Sequence, residues 1–124
     1  MAVVLCVSES TQDVRAIEDP LNADGHEVIF AGDRLRAIEI LLARGCDAAV
    51  LFLGASSREI WDLIPLVGRV DPRLPILTVA QEDSVETQRE IRRSRVFYHL
   101  TQPVDADEVR EALREALMHR ESSR

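Results

Sequence analysis

Five short apolar runs alternate with five amphipathic stretches, and in a chain of 124 residues that alternation constrains the fold more than any other feature. Val3–Val7 is continuous and rich in β-branched residues, as suits a strand buried on both faces. Ser8, Ser10 and Thr11 then supply helix-start hydroxyls. Val14, Ile17 and Leu21 share one helical face, and Asp24-Gly25 ends that helix. Glu27–Ala31 reads as a second strand, and Leu35, Ile38, Leu41 and Leu42 mark a second helix closed by Gly45. Asp47–Leu53 is the most hydrophobic run and therefore the expected central strand. Ile60, Trp61, Ile64 and Val67 predict a third helix with a kink at Pro65. Asp71-Pro72 and Pro75 bracket a loop leading into a strand at Ile76–Ala80, and the polar stretch from Ser84 to Arg95 reads as a weakly amphipathic helix. Val96–Leu100 is a fifth strand; Asp105 caps a last helix with Val109, Leu113, Ala116 and Leu117 on its inner face. From His119 the chain is polar and expected to fray, which sets one domain at 1–119 and a tail at 120–124.

Strands and helices in strict alternation imply an α/β fold, with a parallel sheet covered by helices on both faces in three layers. Right-handed crossovers leave few topologies. At this length the expected one is the flavodoxin-like, doubly wound, five-stranded parallel sheet of order 2-1-3-4-5 with five helices. Ligands of such sheets sit outside the carboxyl ends of the strands. Function is therefore sought at Ser8–Ser10, Leu53–Ser57, Ala80–Glu82 and Thr101–Pro103.

Composition narrows the chemistry. All 15 basic residues are Arg, so lysine Schiff bases, lysine nucleophiles and P-loop NTPase chemistry are excluded. A net charge of −7 without a basic stripe argues against direct nucleic-acid binding. Hydrophobic residues make up 46% of the chain and aromatic ones only 4%, so aliphatic side chains must fill the core. The apolar runs are too short to span a bilayer, and MAVVLCV lacks the basic segment and cleavage site of a signal peptide. Cys6 and Cys46 have neither CxxC nor metal-ligand spacing and read as buried free thiols of a cytoplasmic protein.

The dispersed fingerprint VVLCVSES, DGHEVIFAGD, GCDAAVLFL, RLPILTVA and YHLTQPVDADEVREAL resembles the receiver domain of bacterial response regulators over nearly the whole chain. The last segment is the most specific, with Gln102-Pro103 where the family has Lys-Pro, followed by Val104 and an acidic-started helix. The resemblance implies a site in which three carboxylates hold Mg²⁺, one of them accepting a phosphoryl group, while a hydroxyl and a lysine neutralise its oxygens. Position by position, the acidic pair falls on Ser8 and Glu9, the acceptor Asp on Phe52, the hydroxyl on Ala80 and the lysine on Gln102. Thr78 lies two residues before Ala80, and the switch aromatic falls on His99, beside Tyr98.

These replacements support one another. Phe52 offers no nucleophile, and Glu9 alone would not hold Mg²⁺ against its hydration shell. The chain accordingly reads as a degenerate receiver: a phosphorylation-independent interaction or dimerisation module with no catalytic residue, phosphoacceptor, metal or cofactor. Its former pocket comprises Ser8, Glu9, Phe52, Ala80 and Gln102. The expected partner is a protein or output domain. In the family, the face of helix 4, strand 5 and helix 5 often carries dimerisation, which draws attention to Arg92, Arg95, Tyr98, His99 and Arg110, with Asp105 or Glu111 as acidic counterparts. Plainer roles compete at each position. Glu9 reads as an exposed carboxylate near a helix N-terminus, Ser10 and Thr11 as caps, Trp61 as a helix-packing residue and His99 as a surface or interface histidine. Arg89, Arg92, Arg93 and Arg95 read first as a solvated helix end. Two other functions stay open: a nucleotide or flavin site in the same crevice, although VSESTQD has no glycine for close approach, and phosphoacceptance by a non-standard residue.

Overall fold

The structure, a computed structural model, describes residues 2–54, 58–81 and 84–122, so Ala55, Ser56, Ser57 and Glu82 of the strand-end segments lie outside the described residues. The element order is β1 (Val3–Val7), α1 (Thr11–Ala23), β2 (Glu27–Ala31), α2 (Arg34–Ala43), β3 (Ala48–Leu53), α3 (Leu63–Val70), β4 (Ile76–Ala80), α4 (Val85–Arg92), β5 (Tyr98–Thr101) and α5 (Ala106–Ser122). All neighbouring strands pair in parallel in the order β2-β1-β3-β4-β5, the expected doubly wound arrangement.

The pleat divides the apolar residues between two cores. On one face Leu5, Val7, Ala49, Leu51 and Leu53 pack against Ala37, Ile40 and Leu41 of α2 and Leu63, Ile64 and Val67 of α3. On the other, Val4, Cys6, Val50, Phe52 and Val79 meet Val14, Ile17 and Leu21 of α1 and Val109, Ala112, Leu113 and Ala116 of α5. Every residue of β3 is buried, which makes it the hub of both layers. Its start is pinned to β1, since the Asp47 carboxylate accepts the Val3 N–H at 2.7 Å.

Caps fix the helix starts. The Ser10 hydroxyl accepts from Gln12 N–H, Asp33 from Arg36 N–H, Ser84 from Thr87 N–H and Asp105 from Asp107 N–H. Gly25 and Gly45, at φ +86° and +80°, carry the chain out of α1 and α2 through the left-handed region that favours glycine.

The structure corrects three expectations. Helix α3 begins only at Leu63, so Pro65 lies in its first turn, where an N–H is not required, and makes no mid-helix kink. The fifth strand starts at Tyr98 rather than Val96; Phe97 N–H already reaches Ile76 O at 2.7 Å ahead of it. The C-terminal stretch does not fray at His119, because α5 continues to Ser122. Arg120 bonds Asp71 at 2.9 Å, and His119 stacks on Phe97 with ring centroids 5.4 Å apart. Among the described residues no helix is long and apolar enough to cross a membrane.

Both thiols are buried and unpaired with each other. Burial pushes Cys6 up from its ordinary 9.0 to about 12 and Cys46 to about 11. The folded chain therefore holds these protons more tightly than the unfolded one. The resulting stability is complete below pH 9.0 and is lost as pH rises toward about 12 for Cys6. Denaturant titrations at about pH 8 and about pH 10 should show lower stability at the higher pH, with part of that loss absent in Cys6→Ala. An identical alkaline loss in the variant would assign it to other groups.

Candidate functional site

The carboxyl ends of the strands surround a small crevice of about 230 Å³ where the order turns from β1 to β3. Ser8, Glu9 and Asp13 form its β1–α1 side, Phe52 and Gly54 its β3 side, and Gln81 and Gln102 the opposite wall. Ser8 is only 1% exposed. Its hydroxyl donates to Asp13 Oδ2 at 2.9 Å and accepts the Ser10 N–H at 3.0 Å. Gln102 Nε2 reaches the other oxygen of the same carboxylate at 3.4 Å, bridging β5 to α1 across the crevice mouth.

Asp13 is the residue that sequence reasoning missed. It stands three residues after the N-cap Ser10, the spacing of a capping box, which was the available signal. Its carboxylate turns instead to Ser8 and Gln102. The crevice therefore pairs one carboxylate with a hydroxyl and an amide, both neutral donors. Glu9 remains exposed at the rim. Phe52 is 4% exposed, and its ring belongs to the core formed with α1 and α5, closing the crevice from below. Among the described residues no group of three or more His, Cys, Asp or Glu is placed to share a metal ion.

Ala80 is brought to the same strand ends but not into the crevice lining, which takes its neighbours Val79 and Gln81 instead. Adjacent strand residues point to opposite faces, so Ala80 contributes its backbone, the carbonyl accepting the Gln102 N–H at 2.9 Å. Thr78 also points away from the crevice. It is fully buried and shares a hydrogen bond of 2.6 Å with His99 Nδ1, its register partner on β5. His99 is thus a half-buried partner of a core hydroxyl, not a plain surface histidine.

The five residues considered for an interface do not form one face. Tyr98 is exposed on β5, and its hydroxyl donates to Glu108 of α5 at 3.3 Å. The nearby carboxylate of Glu108, then burial and the more distant Glu115 and Glu111, raise the Tyr98 pKa. Arg110 is turned the other way, because two residues along a helix is more than half a turn. It grips Asp24, after α1, through two bonds of 2.9 and 2.7 Å. Arg95 lies against α3: it donates to the Pro72 carbonyl, and a Cβ added to Gly68 would sit 3.1 Å from its guanidinium. Arg92 is exposed on α4, beside Val85, Gln88 and Arg89 around one shallow depression.

Outside the crevice lies a larger groove of about 490 Å³ between α3 and α4. Trp61 forms part of its floor, with the Arg58 guanidinium 5.0 Å above the ring centroid. Arg58 is in turn clamped in two places by Glu90 of α4. That hydrogen-bonded arginine holds the Glu90 carboxyl below its ordinary range.

Two substitutions test these placements. Phe52→Ala should cost about 3–5 kcal/mol of stability in denaturant titrations, as for an aromatic removed from a packed core. Thr78→Val should cost about 1–2 kcal/mol by removing the partner of the half-buried His99. A neutral Phe52→Ala would place the ring outside the core.

No family model matches the chain. The transcriptional regulatory protein ZraR of Klebsiella oxytoca is 23% identical over 116 residues, which cover 94% of this chain and 26% of that protein. The chain thus spans about a quarter of the length of that curated relative. The CheY-like receiver domain protein from Methanospirillum hungatei JF-1 superposes with a TM-score of 0.90 at 17% identity, over 100% of this chain and 99% of that one. CheY4 of Vibrio cholerae gives 0.82 at 22% identity, over 94% and 99%. NtrX from Brucella abortus gives 0.87 at 22%, over 98% of this chain and 28% of that one. The chain has the fold of the response-regulator receiver domain.

Proposed function

We propose that this chain is a receiver-type signalling domain that works in bacterial signal transduction or transcription control without accepting a phosphoryl group. It transmits by docking a partner protein or output domain, or by dimerising, in the cytoplasm. One observation carries this reading. The strand-end position that would need a nucleophilic carboxylate holds the Phe52 ring, buried in the core beneath the crevice. The remaining crevice chemistry agrees: Asp13 is served by the neutral Ser8 and Gln102, leaving no lysine ammonium to meet a phosphoryl dianion.

A nucleotide or flavin is less well supported. The crevice, at about 230 Å³, falls below the roughly 300–1,000 Å³ of ordinary ligand pockets. Its β1–α1 loop also lacks the glycine that lets backbone approach a phosphate.

For the docking face, charge favours α4 against α5. Arg89 and Arg92 are exposed on α4, whereas Glu108, Glu111 and Glu115 are exposed on α5 beside Tyr98. A twofold axis would set each stripe against its opposite in a second copy. Arg110 and Arg95, already engaged elsewhere, take no part in this face.

Incubation with acetyl phosphate and Mg²⁺, followed by intact-mass measurement, should leave the chain unmodified. Acid-labile phosphate on the protein would overturn the proposal. Solution molar mass should stay the same with and without the phosphodonor. If the charged stripes pair, Arg92→Glu should shift the equilibrium toward monomer, and adding Glu111→Arg should recover much of the dimer. A wild-type chain that is monomeric at all concentrations would remove the dimer arm and leave docking to another protein.

A further inference from the structure

In a chain of net charge −7, the groove between α3 and α4 is lined by four arginines, Arg58, Arg69, Arg93 and Arg95, against two carboxylates, Asp62 and Glu90. Both carboxylates are spoken for. Glu90 clamps Arg58, and Asp62 lies 3.9 Å from Arg34 outside the groove. Arg69 and Arg93 form no ion pair within 4 Å among the described residues, although Arg93 also acts on the Glu90 carboxylate and Asp62 on Arg58. Exposed guanidinium groups gathered along one groove give it a local positive potential that attracts negatively charged groups.

The groove also has a defined shape. Trp61, Ile64 and Gly68 recur at three- and four-residue spacing along the turn into α3 and along α3 itself, giving a linear floor rather than a round pocket. Arg95 is fixed against Gly68 and bonded to Pro72, so one wall is set in advance and its ordering need not occur on binding. At the opposite end Arg58 lies over Trp61 and already holds a carboxylate in bidentate fashion, which demonstrates what this end accepts. A strip with an apolar floor and guanidinium groups spread along it matches a peptide segment with carboxylates flanking an apolar residue. A compact anion such as phosphate would use one end only.

We propose that this groove is the docking site for an acidic segment of a partner protein, whose carboxylate replaces Glu90 on Arg58. The exchange has a mechanical consequence. Helix α4 has no fully buried residue, so its position depends on a few ties. Among the described residues these are Ile91 against the core and the Arg58–Glu90 clamp. A partner that takes Arg58 loosens the helix bearing Arg89 and Arg92. The assignment rests on the interaction-module reading and supplies that module with an input that needs no phosphoryl group.

The test is calorimetric titration of the full chain with an acetylated, amidated peptide of glutamates flanking a leucine-phenylalanine pair. Its glutamine counterpart and inorganic phosphate serve as comparison ligands. The acidic peptide should bind in roughly the micromolar range, weaken with added salt, and bind at least about tenfold more weakly to Arg69→Glu and to Arg93→Glu. Glu90→Gln should bind it several-fold more tightly and show faster amide exchange in α4 without ligand. Both Arg69 and Arg93 are exposed, so these variants should keep the wild-type melting profile. Absence of binding by the acidic peptide overturns the site, as does equal binding of the glutamine peptide or of phosphate. So do unchanged affinity in Arg69→Glu and weaker binding in Glu90→Gln. The two proposals fail separately. Acid-labile phosphate on the chain overturns the phosphorylation-independent reading whatever the peptide does, and a peptide indifferent to Arg69→Glu overturns the groove whatever phosphodonors do.

Discussion

Burial of β3 on both faces is the constraint on which the rest of the molecule depends. Its six residues alternate between the core under α2 and α3 and the core under α1 and α5, and none is exposed. Parity along that strand decides what stands at its carboxyl end. Leu51 and Leu53 point to one core, so Phe52 must point to the other, and its ring joins Val14, Val79 and Leu100. A carboxylate at that position would need a cation and several donors to repay its desolvation. Phe52 needs neither: it adds a large apolar side chain to a core whose other buried members are mostly aliphatic. The same placement therefore strengthens the hub of the sheet and leaves an apolar ring, not a carboxylate, at the floor of the crevice.

The polar layer above Phe52 is built on the same economy of charge. Clustered carboxylates repel one another unless a cation joins them. Here Asp13 stands in the crevice with the neutral donors Ser8 and Gln102, and Glu9 stays out at the exposed rim. One buried-side hydroxyl and one amide serve a single carboxylate. The Ser8 hydroxyl also closes the turn into α1 by accepting the Ser10 N–H. Crevice and helix start are thus stabilised by one set of hydrogen bonds.

What was legible in the residues was whatever depends on neighbours in sequence. The alternation of apolar runs carried the strand order, and Ser10 and Asp105 announced helix starts that the structure confirms as caps. The run after Asp47 read as a strand because strand residues count regularly, and Phe52 does stand near the carboxyl end of β3. Contacts between distant segments were not legible. Asp13 reaches Gln102 across 89 positions, Arg110 reaches Asp24 across 86, and Arg120 reaches Asp71 across 49. Long guanidinium side chains choose partners by the fold around them, so Arg95 and Arg110 could be placed on a helix or loop but not on a face. The polar C-terminal stretch was misread for the same reason. Arg120 and His119 look solvated in sequence and are held by Asp71 and Phe97 in space.

Helix α4 shows how these levels combine. Its sequence offers few apolar residues, and accordingly it packs without a fully buried side chain. Its neighbour α3 has three buried apolar residues and sits firmly on the sheet. The groove between them therefore joins a fixed wall to a loosely tied one, held by Ile91 and by an electrostatic clamp. An exposed ion pair contributes only about 0–1 kcal/mol, so the Arg58–Glu90 clamp positions α4 without committing it. A core contact of several kcal/mol would hold the helix against any ligand, whereas a clamp of this size can be exchanged for an external carboxylate at small cost. The weakness of the clamp is what makes α4 available as the responsive element, in a fold whose strand-end crevice is closed by Phe52.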